Sequence, residues 1–502
     1  MGIIYRQSLK GSIATFSGAL VGFVVTFFVL TRFLSAEEIG LIRIITEAAT
    51  LLVSFALLGT QTSLIRYYPF FRTKDGSDRG FAKIAFLIPL AGTILFGLLF
   101  LLFRDPIVSY FSGEDGDKPG GLLFRKYAVL VLPMMIFLTL ITVEEVYASI
   151  HRRVAVPKLI REVVLRVLLG CCYVLFGLKV IGDFPGLMTY YVLSHGLCAL
   201  IGFIYVLKLT PCAWTAGIVL PEKRVRKDFL TYSSLTLLSA LGSNVATRLD
   251  LFMVSAGMGF DFGGIFAIMI LMVAVIEMPG RALLSISGPM VSSLIHEDDR
   301  KGLTELYLSV SQQQLLIGSI LFLLIWNNID LVFRFIPNGA VYSQGKWVFL
   351  LLGIGKLIDL SFSFGNSIIR YSKHYVWSLA YTFLVTILSI WLNSLLIPRL
   401  GMEGAATATV LTFVLTYTFQ QIVLWTKMRL SPLHTDLIVL FAVTLLGLAF
   451  EHYVLGRYFS ELTVRDILLK NVLFVLLLTA LLWRVRPFQV LIFKTKEYLS
   501  RL

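Results

Sequence analysis

Long apolar runs recur along the whole chain, and they constrain its fold more than any other feature. The hydrocarbon core of a bilayer is about 30 Å thick, and a helix needs roughly 20 apolar residues to cross it, because every backbone polar group must be bonded within the segment. Runs of this kind predict an all-α polytopic membrane protein with about 14 transmembrane helices. The predicted spans are 13–34, 41–64, 81–103, 127–150, 160–182, 187–208, 229–257, 264–293, 307–326, 347–369, 376–397, 403–426, 435–452 and 466–483.

The composition excludes the soluble classes of protein. Of the 502 residues, 57% are hydrophobic and 15% are charged, whereas a soluble protein has about 25% charged residues. Too few polar residues remain to coat soluble domains, which excludes a soluble enzyme, a disordered scaffold and a secreted domain. The four cysteines (Cys171, Cys172, Cys198 and Cys212) lack zinc-ligand spacing, so we interpret them as packing residues and expect no metal site.

The distribution of basic residues predicts the orientation in the membrane. With a cytoplasmic N-terminus, the inside segments contain 27 Lys and Arg residues and the outside loops contain nine. Basic residues concentrate on the cytoplasmic side of membrane proteins, so we expect both termini to be cytoplasmic. The tail from Pro487 alternates apolar and basic residues, which predicts an amphipathic segment along the inner leaflet.

The most basic connector, residues 221–228, divides the predicted helices into six, six and two. We therefore expect an N-terminal lobe over 1–209, a basic cytoplasmic linker over 210–228 and a C-terminal lobe over 229–426. Residues 427–502 then contain helices 13 and 14 and the basic tail. Two six-helix lobes indicate a substrate path between two facing bundles, as in transporters built from repeats.

Two short segments resemble signatures of a known family. Residues 28–40 read FVLTRFLSAEEIG and residues 396–406 read LIPRLGMEGAA. Both are similar to turns in bacterial polysaccharide and O-antigen flippases of the multidrug/oligosaccharidyl-lipid/polysaccharide exporter superfamily. With the helix count, lobe division and orientation, the resemblance covers nearly the whole chain. It implies an inner-membrane flippase that moves an undecaprenyl-diphosphate-linked oligosaccharide, a lipopolysaccharide O-antigen or other polysaccharide precursor, by alternating access.

The resemblance also implies the partners of the chain. These are the lipid-linked oligosaccharide, membrane lipids and, in a polysaccharide pathway, a polymerase and a chain-length regulator, with no nucleic acid. Related fourteen-span flippases further imply a groove for the lipid tail between the last two helices. The resemblance assigns no cofactor, and the energy source is left open between protons, sodium ions and the membrane potential.

Eight of the 44 basic residues are not among the 36 counted in the loops and at their edges. They lie inside the predicted spans, where a basic side chain costs about 2.5–3.5 kcal/mol at the bilayer centre. Three of them, Arg166, Lys179 and Lys470, lie close enough to a span end to snorkel. Guanidinium groups bind phosphate oxygens in a fork and stay charged. We therefore predict that the other five bind an anionic headgroup, although snorkelling of Arg32 and Arg43 and internal ion pairing of the rest stay open. These five residues are Arg32, Arg43, Arg248, Arg281 and Lys356.

Carboxylates accompany these bases. Glu277 and Arg281 are four residues apart and Lys356 and Asp359 are three apart, so each pair shares a helix face. Arg248 and Asp250 point to different sides, so their partners must lie elsewhere. Asp250, Glu277 and Asp359 are candidates for coupling to H⁺ or Na⁺, with neutralisation of their basic neighbours as the alternative. Pro279 and Gly280 follow Glu277 directly and predict a broken or kinked gating helix.

Two rival functions remain. A multidrug or organic-cation exporter of the same superfamily would favour acids and aromatics in its cavity, whereas the spans of this chain contain at least as many bases as acids. A membrane-embedded glycan polymerase or acyltransferase would need a general base or nucleophile at the membrane surface. The chain also lacks a phosphate-binding loop with its lysine, which excludes direct ATP hydrolysis.

Overall fold

A computed structural model describes most of the chain, and helices occupy the position of every predicted span. The described residues are 2–71, 80–112, 121–210, 217, 222–432, 434–458, 463–483, 485 and 487–489. Cys212, most of the predicted linker and most of the predicted amphipathic tail lie outside these residues. The chain separates into two compact units, unit 1 (Met1–Ile265 with Ile336–Asn338) and unit 2 (Phe266–Phe335 with Gly339–Leu502). The lobes expected over 1–209 and 229–426 stay a prediction.

Unit 1 is a bundle of helices. The first helix, α1 (Gly2–Val24), continues through a π-helical segment, Val25–Leu30, to a closing turn, Thr31–Phe33. The helices that follow are α2 (Ala36–Ala56), α3 (Thr60–Tyr67), α4 (Phe81–Leu102), α5 (Arg104–Ser112), α6 (Gly121–Tyr127), α7 (Val131–Ile150), α8 (Ala155–Leu159), a π-helical segment (Ile160–Val164), α9 (Leu165–Gly177), α10 (Phe184–Leu209), α11 (Lys223–Ala246) and α12 (Leu249–Met258).

Unit 2 contains the remaining helices. The boundary between the units falls within α13 (Phe260–His296). The next helices are α14 (Arg300–Asn327), α15 (Ile329–Phe335), α16 (Gly339–Tyr342), α17 (Lys346–Tyr371), α18 (Val376–Val423, continued by the π-helical segment Leu424–Met428), α19 (Thr435–Phe450, continued by the π-helical segment Glu451–Leu455), α20 (Gly456–Tyr458) and α21 (Val464–Leu482).

Ten helical segments of the described chain are long and apolar enough to cross a membrane. One of them, Val376–Met428, contains two predicted spans that meet at Gly401, where the backbone has a φ of 61°. The other three predicted spans are helical but more polar. The span predicted over 160–182 contains four charged residues, Arg161, Glu162, Arg166 and Lys179. The helix at the last predicted span, α21, contains three, Arg465, Asp466 and Lys470. The chain is therefore an all-α polytopic membrane protein.

The start of α2 lies within the segment 28–40 that carries the family resemblance. The Ser35 hydroxyl accepts a hydrogen bond from the Glu38 backbone N–H at 3.2 Å, and the Glu38 carboxylate accepts one from the Ser35 N–H at 2.8 Å. This reciprocal pair is a capping box, which satisfies two backbone donors at a helix start. The motif therefore fixes where the second span begins.

Gly40, in the next turn of α2, lets two backbones approach closely. A Cβ atom at this position would collide with the backbone oxygen of Phe260 and with the backbone N of Gly264. Backbone atoms of a helix cannot move aside as a flexible side chain can, so only glycine fits this crossing between α2 and the start of α13.

The helix around Pro279, for which the sequence predicts a break or a kink, is continuous. The chain is helical throughout Phe260–His296, although proline removes one helix hydrogen bond. The amide Nε2 of Gln314 on α14 donates to the backbone oxygen of Gly280 at 3.2 Å. This contact ties α14 to the proline-containing turn. The gating role of Pro279 and Gly280 stays a prediction.

Substituting Gly40 by alanine is expected to lower the thermal unfolding temperature of the detergent-solubilised protein. Overpacking a tight contact costs about 1–3 kcal/mol, which exceeds the roughly 1 kcal/mol that alanine gains over glycine in a helix. Gly182→Ala is the matched control, since no atom lies within 4 Å of a Cβ at that position. Equal unfolding temperatures for Gly40→Ala and wild type would contradict the close backbone contact.

Candidate functional site

Arg248 is the centre of a polar cluster in unit 1. It stands between α11 and α12, where the chain leaves the helical conformation at residues 247–248. Its Nε donates to Glu47 Oε2 on α2 at 2.7 Å, and its Nη1 donates to the backbone oxygen of Asn244 at 2.9 Å. The Arg248 and Glu47 side chains are 17% and 27% exposed, so the ion pair is partly buried. The sequence predicts that Asp250 is not the partner of Arg248, and in the structure this partner is Glu47.

Arg43 lies one turn before Glu47 on α2. It is half-buried, and within the described part of the chain no carboxylate forms an ion pair with it. Tyr173 on α9 and Tyr191 on α10 lie within electrostatic range of its guanidinium, and the Tyr191 hydroxyl hydrogen-bonds Thr46 Oγ1 at 2.9 Å. Arg43 is therefore an intramembrane cation with two tyrosines within electrostatic range and with no ion-pair partner among the described residues.

Arg32 and Asp250 lie at helix ends. Arg32 is exposed in the closing turn after α1, with its guanidinium carbon 5.8 Å from the centroid of the Phe33 ring. This position is consistent with snorkelling, and a role in headgroup binding stays a prediction. Asp250 is in the first turn of α12, where a carboxylate is stabilised by the positive end of the helix dipole. Its role in ion coupling also stays a prediction.

In unit 2, the two predicted pairs form and are joined to each other. Arg281 Nε lies 2.9 Å from Glu277 Oε1, and Lys356 Nζ lies 2.9 Å from Asp359 Oδ2. Lys356 Nζ also lies 3.1 Å from Glu277 Oε2 and so bridges α13 and α17. Tyr417 on α18 donates its hydroxyl proton to Asp359 Oδ1. We call these five residues the Lys356 cluster.

The Lys356 cluster contains two cations and two carboxylates, so its formal charge is zero. Lys356 is 19% exposed and has a carboxylate on either side, which leaves it little attraction for a further anion. Arg281 is different because its side chain is 66% exposed. Its Nε is its one hydrogen-bonded nitrogen among the described residues. Arg281 is therefore the cation of this cluster that can still bind a ligand.

Tyr173, Tyr191 and Tyr417 are residues that the sequence did not single out. Tyrosines are common in membrane helices, and nothing in their spacing distinguishes these three from the 17 others. Helix packing brings the Tyr417 hydroxyl to Asp359 on another helix and places Tyr173 and Tyr191 within electrostatic range of Arg43. The one sequence signal that could have indicated these tyrosines is their position in predicted spans of a chain that also has intramembrane charges.

The family is shown by comparison with known sequences. A family model described as polysaccharide biosynthesis protein matches residues 8–295, more than half of the chain. The chain belongs to this family. The match covers α1 to α13 and includes Arg43, Glu47, Arg248 and Arg281. No curated protein matches the sequence.

Solved structures show the fold of this family member. The lipid II flippase MurJ in an inward closed conformation is similar with a TM-score of 0.69 and 13% identity, over 94% of this chain and 97% of that one. A MATE protein in complex with MaL6 has a TM-score of 0.58 and 15% identity, over 88% of this chain and 97% of that one. A MOP superfamily transporter from Pyrococcus furiosus, described by the reverse polarity of its binding pocket, has a TM-score of 0.57 and 15% identity, over 88% of this chain and 96% of that one. The predicted fold and family are confirmed, and the fold is shared with these transporters.

Removing the central cation should destabilise unit 2. We expect Lys356→Met to lower the free energy of unfolding by about 3 kcal/mol, because two partly buried carboxylates lose their shared partner. Thermal unfolding of the solubilised protein measures this loss. Lys346→Met is the matched control: it breaks a pair with Asp330 whose side chains are 31% and 57% exposed, which is worth about 0–1 kcal/mol. Equal losses for the two variants would contradict the central role of Lys356.

Proposed function

We propose that this family member is a flippase that moves an undecaprenyl-diphosphate-linked oligosaccharide, a polysaccharide or O-antigen precursor, from the cytoplasmic to the periplasmic leaflet. Membership of a polysaccharide biosynthesis family and a fold shared with a lipid II flippase support this proposal. The observation that carries it is Arg43, a cation inside a span without an ion-pair partner among the described residues. Such intramembrane charges are functional by default.

The chemistry of the headgroup explains why arginine suits this task. A diphosphate presents several anionic oxygens, and a guanidinium binds two of them in parallel with charge-assisted hydrogen bonds. Among the described residues, Arg43 has no ion-pair partner, and Arg281 uses only its Nε. Arg248 and Lys356 hold carboxylates already, so in this proposal they contribute by exchanging a carboxylate for a phosphate. Arg32 would contact the headgroup near the end of the first span.

The remaining elements of the proposal concern the cycle and its setting. The flippase works by alternating access, with residues 1–209 and 229–426 as the moving lobes, in the inner membrane and with both termini cytoplasmic. Asp250, Glu277 and Asp359 would couple the cycle to H⁺ or Na⁺, and the turn at Pro279 and Gly280 would act as a gate. A polymerase and a chain-length regulator would receive the exported precursor.

Binding to a lipid diphosphate tests the substrate class. The purified, detergent-solubilised protein should retain an undecaprenyl-diphosphate-linked sugar in native mass spectrometry. Arg43→Ala should weaken this binding at least tenfold, because charge-assisted hydrogen bonds contribute about 1.5–3 kcal/mol each. A titration of occupancy against lipid concentration gives the ratio of dissociation constants.

Arg334→Ala is the control for this titration. Arg334 is exposed on α15, outside the predicted spans, so its removal should leave binding unchanged. An organic cation serves as the second ligand, since a drug exporter would bind it and the proposed flippase would not. Equal binding of the lipid by wild type and Arg43→Ala, or binding of the cation alone, would refute the proposal.

A further inference from the structure

Glu144 is a carboxylate enclosed between two helices of unit 1. It lies on α7 and its side chain is 2% exposed. Gly202 on α10 faces it so closely that a Cβ atom there would collide with Glu144 Oε2. The other oxygen, Oε1, is enclosed and has no hydrogen-bond partner among the described residues. The helix pair thus makes room for an acidic side chain without offering it a donor.

The surroundings of Glu144 are apolar on both helices. Ile141 and Tyr147, one turn away on either side along α7, belong to two hydrophobic clusters of buried residues. Cys198 and Val206, one turn on either side of Gly202 along α10, belong to the same two clusters. Glu144 therefore sits between two apolar cores.

The helices that pack against α7 bring no counter-charge to Glu144. These are α2, α3, α4, α8 and α10, and within the described residues no lysine, arginine or histidine on them forms an ion pair with it. Cys198 is the titratable group of α10 within electrostatic range of Glu144. The other titratable and charged groups of these helices and of the adjoining π-helical segment are Glu37, Glu38, Arg43 and Glu47, Arg66 and Tyr67, Lys83, Lys158, Arg161 and Glu162, and Tyr190, Tyr191, His195, Tyr205 and Lys208.

Several of these groups are engaged with other residues. Glu47 pairs with Arg248, Arg161 with Glu145, Glu162 with Arg166, the Arg66 guanidinium lies over the Tyr232 ring, and His195 Nδ1 hydrogen-bonds the Tyr191 backbone oxygen.

The adjacent acid shows the contrast. Glu145 is 24% exposed, and its Oε2 lies 2.8 Å from Nη1 of Arg161. These two neighbouring carboxylates of one helix therefore have opposite environments. Glu145 is partly exposed and pairs with a cation, whereas Glu144 is buried and has no ion-pair partner among the described residues. An isolated ionised carboxylate is not stable in an apolar environment and takes up a proton instead.

We propose that Glu144 is a proton-binding site, which holds a proton in this conformation and releases it when the α7–α10 interface admits water. The interface then acts as a coupling site through which a proton gradient drives transport. This coupling role rests on the proposed function, whereas the proton-binding step does not. The site is separate from Asp250, Glu277 and Asp359, since within the described residues no basic side chain forms an ion pair with Glu144.

Infrared spectroscopy of the full-length protein in liposomes tests the proton directly. A protonated carboxyl has a C=O stretch that is distinct from the bands of an ionised carboxylate. We expect a protonated-carboxyl band at neutral pH in wild type and in Glu145→Gln, and its loss in Glu144→Gln. A band of undiminished intensity in Glu144→Gln, no such band in wild type, or loss of the band on adding sodium at constant pH would overturn the proposal.

A second variant covers the case in which Glu144→Gln does not accumulate in the membrane. In Glu144→Asp the carboxyl moves by one methylene, so the position of the band should shift, and an unshifted band would overturn the assignment. For the coupling role, lipid translocation by Glu144→Gln should lose its response to an imposed pH gradient while Glu145→Gln keeps it. A retained response would refute the coupling role of Glu144. It would not refute the proposed function, because the protein would still translocate the lipid.

Discussion

Neutralisation of charge inside the bilayer is the constraint on which this structure depends. A membrane interior provides no water to solvate an ion, so each charged side chain must find a partner, reach the surface or serve a ligand. Lys356 meets this requirement through Glu277 and Asp359, and Arg248 meets it through Glu47. The Lys356–Glu277 and Arg248–Glu47 pairs connect helices that are distant in sequence, and they add to the apolar packing within each unit.

Arg43 and Glu144 depart from this pattern in opposite directions. Arg43 is a cation without an ion-pair partner among the described residues, and Glu144 is a carboxylate without one. A partly buried guanidinium keeps its charge because it does not deprotonate, so it needs a partner, contact with water or an anionic ligand. A carboxylate can take up a proton instead. The same physical constraint therefore underlies both proposals, anion binding at Arg43 and proton binding at Glu144.

The fold could be predicted from the sequence to the level of single helices, because each span must supply its own apolar length. Helix ends and short interruptions, which depend on local backbone geometry, were harder to predict from the sequence. The span predicted over 41–64 ends at Ala56 and a second helix begins at Thr60, and hydropathy does not register so short an interruption. The segment around Pro279 stays helical, although proline removes one helix hydrogen bond. By contrast, the capping box at Ser35 and Glu38 is visible in the sequence as a motif.

The candidate site was predictable only within single helices. Spacings of three and four residues gave the pairs Lys356–Asp359 and Glu277–Arg281, since such residues share a helix face. The bridge from Lys356 to Glu277, the Glu47–Arg248 pair and the Tyr417 contact depend on how helices pack, which no local pattern encodes. Glu144 illustrates the same limit. In the sequence it is equivalent to Glu145, and only the facing Gly202 and the apolar turns around it distinguish the two.

Translocation in proteoliposomes tests the central claim most directly. A fluorescent undecaprenyl-diphosphate-linked oligosaccharide is placed in one leaflet, and its headgroup is detected in the other by a membrane-impermeant quencher. The account predicts transfer by the wild-type protein well above that of protein-free liposomes, and loss of this transfer in the Arg43→Ala/Arg281→Ala double variant. Wild-type transfer at the protein-free level, or undiminished transfer by the double variant, would contradict it.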